Sequence, residues 1–171
     1  MAILVLGLGN TIMTDDGFGV RVVVELSSRY RLRGDVRLLD GGTLGLDLLP
    51  QLEGVERLLI VDALQMQAAP GTVFRLEGEE VPRAFASKLS VHQMGVQDLL
   101  AVAELMGHLP SELVVWGVQP QSIEMGTELT APVAAAIEPV VDGVVGELRR
   151  WGIACVTGTV PAGDCPSGGG A

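Results

Sequence analysis

Residues 3–8, Ile-Leu-Val-Leu-Gly-Leu, are apolar at odd and even positions alike. A strand with one face in water alternates polar and apolar residues. A strand that is apolar throughout must be covered on both sides, as in a parallel sheet flanked by helices. The same pattern returns at 57–61 (Arg-Leu-Leu-Ile-Val) and 113–118 (Leu-Val-Val-Trp-Gly-Val). Val36 to Leu39 reads as a shorter strand, and Thr72 to Leu76, after the Pro70-Gly71 turn, as a strand at the sheet edge.

Helical segments separate these runs. Val20, Val23, Val24 and Leu26 fall at helical spacing opposite Arg21, Glu25 and Arg29, giving a helix over about 19–30. Residues 44–52 read as a short helix bent or started at Pro50, and 77–90 as a charged loop with Pro82. Val91 opens a helix to about Met106 that buries Leu99, Leu100, Val102 and Ala103. Thr130 is placed to cap a last helix, with Pro132 in its first turn, running to about Trp151 through Pro139. Strand and helix alternate throughout, so the expected fold is α/β: one three-layer domain over 1–157, with a mostly parallel twisted sheet of about five strands and helices on both faces. Residues 158–171 are rich in Gly, Pro and small side chains and read as a disordered tail.

The 171 residues suffice for one core without staples, and the formal net charge is −10. A nucleic-acid or anionic-membrane binder needs clustered Lys and Arg, so neither partner is expected. No apolar run approaches a membrane span, and the expectation is a soluble cytoplasmic protein. Cys155 and Cys165 lack metal-site spacing, lie late in the chain, and are expected to be peripheral to function.

The strands end on acids. The first leads through Gly7-Leu8-Gly9-Asn10 to Asp15 and Asp16, the second ends in Asp40-Gly41-Gly42-Thr43, and the third in Asp62. Carboxyl ends of parallel strands share one edge of the sheet, where ligands bind. His92, between a loop and a helix, can reach the same edge. Carboxylates and an imidazole suit a borderline divalent metal such as zinc or nickel, and equally general acid–base chemistry. Each residue also has an ordinary reading, Asp as a turn former and His as a cap. Gly7 and Gly9 lack the third glycine of a dinucleotide fingerprint, whose position is Ile12, and Asp15 and Asp16 would repel a pyrophosphate. No Gly-x-Ser-x-Gly elbow and no His-Glu-x-x-His helix occurs.

Gly7-Leu8-Gly9-Asn10 with Asp15-Asp16-Gly17-Phe18-Gly19-Val20 resembles the opening of the nickel-iron hydrogenase maturation proteases. The resemblance continues through Leu39-Asp40-Gly41-Gly42-Thr43, Ile60-Val61-Asp62-Ala63, Ala69-Pro70-Gly71-Thr72, Ser90-Val91-His92-Gln93 and Gly117-Val118-Gln119-Pro120, spanning Ile3 to Trp151. Glu80-Val81-Pro82 and His92-Gln93 look most like the branch serving uptake hydrogenases.

The resemblance implies an endopeptidase that removes the C-terminal extension of the large-subunit precursor once nickel is in place. It implies Asp16, Asp62 and His92 as catalytic and metal-contacting residues, and Asp40, Gly41, Gly42 and Thr43 as substrate-binding ones. Many members carry Glu where this chain has Asp16. The nickel is expected to arrive with the substrate, with no tightly bound cofactor of the protein's own, and cadmium or zinc could occupy the same site. Two other classes remain open: a non-cutting chaperone of the nickel-loaded subunit, and an α/β enzyme acting on a small ligand.

Overall fold

The computed structural model describes residues 2–86 and 91–158, the side chains of 86 and 91–94 excepted. Seven strands are present among them: β1 (Ala2–Leu8), β2 (Tyr30–Arg33), β3 (Val36–Gly42), β4 (Val55–Ala63), β5 (Val73–Glu77), β6 (Glu112–Val118) and β7 (Ala154–Thr157). The helices are α1 (Phe18–Arg29), α2 (Glu80–Ala86), α3 (Val91–Leu105), α4 (Ala131–Ala134) and α5 (Ile137–Arg150), with 3-10 segments at Thr14–Gly17 and Gly45–Leu52.

The main sheet has the order β3-β1-β4-β6-β5. Its first four strands are parallel, and β5 closes one edge antiparallel to β6. The all-apolar runs split by parity between two cores. Ile3, Val5, Leu59 and Val61 pack under Phe18, Val22, Val140 and Val144 of α1 and α5. Leu4, Leu6, Leu58 and Ile60 pack under Leu48, Leu52, Val96 and Leu99 on the opposite face. This is the expected α/β architecture, and it explains why these strands show no alternation.

α1 crosses the sheet very closely. A Cβ on Gly19 would lie 2.0 Å from the carbonyl oxygen of Val61 and 2.5 Å from that of Leu8. Alanine has the better helix propensity by about 1 kcal/mol. The clash is with backbone and must outweigh that gain, so Gly19→Ala is expected to lower stability by about 1–3 kcal/mol, read from the denaturant midpoint.

Four expectations are corrected. Within the segment read as a loop over 77–90, residues 80–86 form α2. Pro82 falls in its first turn, where a missing N–H breaks no bond, and Val81, Ala84 and Phe85 form a buried helical stripe. The last helix is two helices, broken at Ala135-Ala136. Pro139 is the third residue of α5, where its ring would meet the carbonyl of Ala135 had the α4 ladder continued. Residues 45–52 wind as a 3-10 helix around Pro50 rather than as an α-helix, the proline removing an α-type donor. Finally, β2 and β7 form a separate two-stranded antiparallel sheet, too short for its alternation to stand out in the sequence. Cys155 is buried on β7, and that burial pushes its thiol pKa up, which keeps it unreactive. Beyond Gly158 the tail lies outside the described residues, as does Cys165.

α5 is fastened to the sheet by Glu147, buried between Arg75 of β5 and Arg150. No described helix is long and apolar enough to cross a membrane.

Candidate active site

The chain leaves β1 for β3 on one side, then returns across β1 to β4 on the other. Neighbouring connections therefore diverge between β1 and β4, which opens a crevice at the carboxyl ends of these strands. Gly7 of β1 pairs with Asp40 of β3 and with Val61 of β4, so Asp40, Gly7 and Val61 form one row and Asp62 stands a residue beyond it.

Asp62 is fully buried, and its Oδ1 accepts a hydrogen bond from the N–H of Ala63 at 2.8 Å. By parity it follows Leu58 and Ile60, on the face covered by α3 and the Gly45–Leu52 segment. Asp16 is 8% exposed, in the 3-10 turn that follows β1. Its Oδ2 accepts from the N–H of Asn10 at 3.0 Å, which folds the loop back on itself. Gly9 makes this closure possible. Its φ is +122°, and a Cβ there would stand 1.7 Å from the carbonyl oxygen of Asp16.

Asp15 and Asp16, adjacent in the sequence, have separate surroundings. Asp15 is fully buried and points away from the crevice into the loop after β6. Its Oδ2 accepts from the N–H groups of Gln121 (2.8 Å) and Ser122 (3.0 Å) and from the hydroxyl of Thr130 (2.8 Å). Its Oδ1 accepts from the N–H of Thr130 at 2.8 Å. Thr130 does precede a helix, but its side chain makes no cap bond and serves Asp15 instead. Backbone bonds extend the splint: Thr14 N–H to Gly126 O at 2.8 Å, Gly126 N–H to Ile12 O at 2.9 Å, and Asp15 N–H to Ser122 O at 3.1 Å. Asp16 thus sits on a turn anchored to the far side of the sheet.

Asp40 is exposed and falls by parity with Val36 and Leu38, on the face opposite Asp62. Its Oδ1 accepts from the N–H of Gly42 at 2.9 Å, and Gly42 O accepts from Gly9 N–H at 2.9 Å. The Gly41-Gly42-Thr43 turn therefore abuts the loop that carries Asp16. A Cβ on Gly41 would be 2.7 Å from Leu6 Cδ1, so this turn lies flat on the core.

His92 is the second residue of α3, and its side chain lies outside the described residues. One turn on, α3 meets the segment after β3: a Cβ on Gly95 would be 3.0 Å from the Cα of Gly45. The amino end of α3 is therefore held beside the turn at 41–43, over the face to which Asp62 belongs. Among the described residues, which exclude the His92 side chain, no three acidic, His or Cys groups cluster as a metal site.

A residue that the sequence reading assigned no role is Gln119, buried at the end of β6. Its Oε1 accepts from Met66 N–H at 2.8 Å and its amide donates to Gln65 Oε1 at 2.6 Å, which shapes the loop after Asp62. A glutamine directly after an all-apolar strand was the available signal.

The arrangement offers two carboxylates of low exposure at the crevice, fixed by backbone donors, with a histidine at a helix start nearby. A family model described as hydrogenase maturation protease matches residues 20–147. The hydrogenase 2 maturation protease of Escherichia coli is 43% identical over 157 residues, 91% of this chain and 96% of that one. The hydrogenase expression/formation protein HupD of Rhodobacter capsulatus is 43% identical over 164 residues, 95% of this chain and 78% of that one. Among solved structures, the hydrogenase maturating endopeptidase HybD from E. coli superposes with a TM-score of 0.89 at 42% identity, covering 92% of this chain and 98% of that one. The [NiFe] hydrogenase maturation protease HybD from Thermococcus kodakarensis gives 0.71 at 30% identity, covering 86% and 99%.

Proposed function

The chain belongs to the hydrogenase maturation protease family, and we propose that it cuts the C-terminal extension from a nickel-loaded [NiFe] hydrogenase large-subunit precursor at the β1–β4 crevice. The observation that carries the choice of site is the position of Asp16 and Asp62, on either side of the switch point and held by backbone N–H groups. An α/β sheet binds its ligand at that place.

In this reading the nickel is part of the substrate, held by the precursor's own thiolates. Asp16, Asp62 and His92 supply two carboxylate oxygens and one imidazole nitrogen, a donor set suited to a borderline divalent ion. Three ligands leave positions for the precursor, so the crevice engages a loaded precursor better than an empty one. Cadmium or zinc in solution could take the same donors. The protein needs no tightly bound metal of its own.

Hydrolysis then requires a water oxygen to attack the scissile carbonyl carbon, with a carboxylate taking the water's proton. As the C–N bond breaks, that proton is returned to the departing amine. Burial favours this role for Asp62, because a carboxylate shielded from bulk water holds its geometry and is a stronger partner for the one water admitted. Asp40 and the flat 41–43 turn flank the path by which an extended segment would enter, and are assigned to substrate binding.

The test is cleavage of purified precursor with and without nickel, followed by mass spectrometry. Loaded precursor should lose its extension at least tenfold faster than nickel-free precursor. Equal rates would end the metal-gated reading while leaving the protease assignment in place. Binding of loaded precursor with no change of mass would instead favour a chaperone.

A further inference from the structure

Burial leaves few large apolar side chains in water, and several of those stand around the crevice. Ile12 is 54% exposed, Ile123 52% and Met125 84%, on the loops after β1 and β6. Across the crevice, Leu44 is 56% and Leu46 46% exposed.

The first group is rigidly presented. Met13 and Gly126 form a parallel bridge, with Thr14 N–H donating to Gly126 O and Gly126 N–H to Ile12 O, so the loops that carry Ile12 and Met125 are tied together beside those residues. Asp15 anchors the same two loops through its bonds to Gln121, Ser122 and Thr130. Exposed apolar side chains on two loops that are bonded to each other, one of them four residues before a candidate catalytic acid, mark an interaction surface.

Charge narrows the occupant. The carboxyl-edge loops 9–17, 43–47, 64–72 and 119–130 contain no Lys or Arg, but hold Asp16, Asp47, Glu124 and Glu128. Arg31, Arg33, Arg37, Arg57, Arg149 and Arg150 lie at the other end, on β2, the starts of β3 and β4, and the end of α5. Arg21 of α1 donates to the carbonyl of Thr127 at one flank, and against that one cation the loops of the crevice edge are apolar and carry a net negative charge. A second copy of the chain would bring two such edges together and repel itself.

We infer that the rim of Ile12, Ile123 and Met125 is the docking surface for a stretch of the large-subunit precursor carrying apolar side chains beside Lys or Arg. This rests on the reading given under Proposed function. The apolar side chains cover Ile12 and Met125, and the cations answer the acidic edge.

The double variant Ile12→Ser/Met125→Ser should lower kcat/KM for loaded precursor about tenfold, with the loss in KM rather than kcat. Raising the salt to about 0.5 M should raise the wild-type KM as well, because exposed charges are screened. Val24→Ser/Leu105→Ser is the control, since those side chains are 55% and 87% exposed on α1 and at the end of α3. It should process normally. A rim variant that keeps the wild-type KM overturns the proposal, as does one that changes only the oligomeric state. Precursor binding to Asp62→Asn protein, with and without the rim substitutions, separates the two ideas. If the wild type does not cut but binding still needs Ile12 and Met125, the docking surface stands and the protease site falls. If the wild type cuts and the rim substitutions leave binding unchanged, the docking surface alone falls.

Discussion

Asp62→Asn should process precursor about 10²–10⁴-fold more slowly than the wild type, the range typical of losing a general base. The substitution is nearly isosteric, and the asparagine oxygen can still accept from the N–H of Ala63, so the strand end keeps its bond. What disappears is the charge at a fully buried position. The thermal midpoint should therefore stay near the wild-type value while the mass of the precursor stops changing. Asp16→Asn and His92→Ala should behave alike if the three residues act as one set, and their effects should not add, as for any group working as a unit. A His92→Ala protein of full activity would take the histidine out of the site and leave a two-carboxylate mechanism.

The largest loss of stability is expected at Asp15. Asp15→Ala removes one carboxylate that satisfies three backbone N–H groups and a hydroxyl. Hydrogen bonds to a charged group contribute about 1.5–3 kcal/mol each, but water can reach some of the donors once the carboxylate is gone. A net loss of about 3 kcal/mol follows, or roughly 6–12 °C in Tm for a chain of this size. Processing should fall too, because the turn carrying Asp16 loses its anchor on the far loop. Asp15→Asn keeps the shape but faces its amide against those donors, so it should recover only part of the stability. Comparing it with Asp62→Asn separates the neighbouring uses of acid: one variant unfolds early, the other stays folded and inactive.

The fold was legible where a residue's environment follows from its neighbours in sequence. β1, β4 and β6 are apolar at both parities because helices cover both faces, as in parallel sheets generally, and their short length and flanking turns read as strand rather than buried helix. The edge position of β5 also followed, from its short length and preceding turn. Prolines were harder to place. Pro82 and Pro139 both sit in the first turn of a helix, yet the sequence alone allowed a loop for one and a bend for the other. Whether a proline starts a helix or interrupts one depends on which carbonyl lies four residues behind it, and tertiary packing decides that.

For the candidate site, the strand-end carboxylates Asp40 and Asp62 and the Asp16 turn fall at the carboxyl edge of the sheet that chain order implied. By itself, the sequence determined a doubly covered parallel sheet and the set of acids that its carboxyl edge would carry, because strand patterning and chain order fix both. Only the tertiary structure distinguished Asp15 from Asp16. It turned the first into a structural anchor between loops 106–115 residues apart in the chain and left the second at the crevice. The physical reason is that a carboxylate's role depends on which donors surround it, and these donors come from a loop that reaches the site only after the sheet has formed.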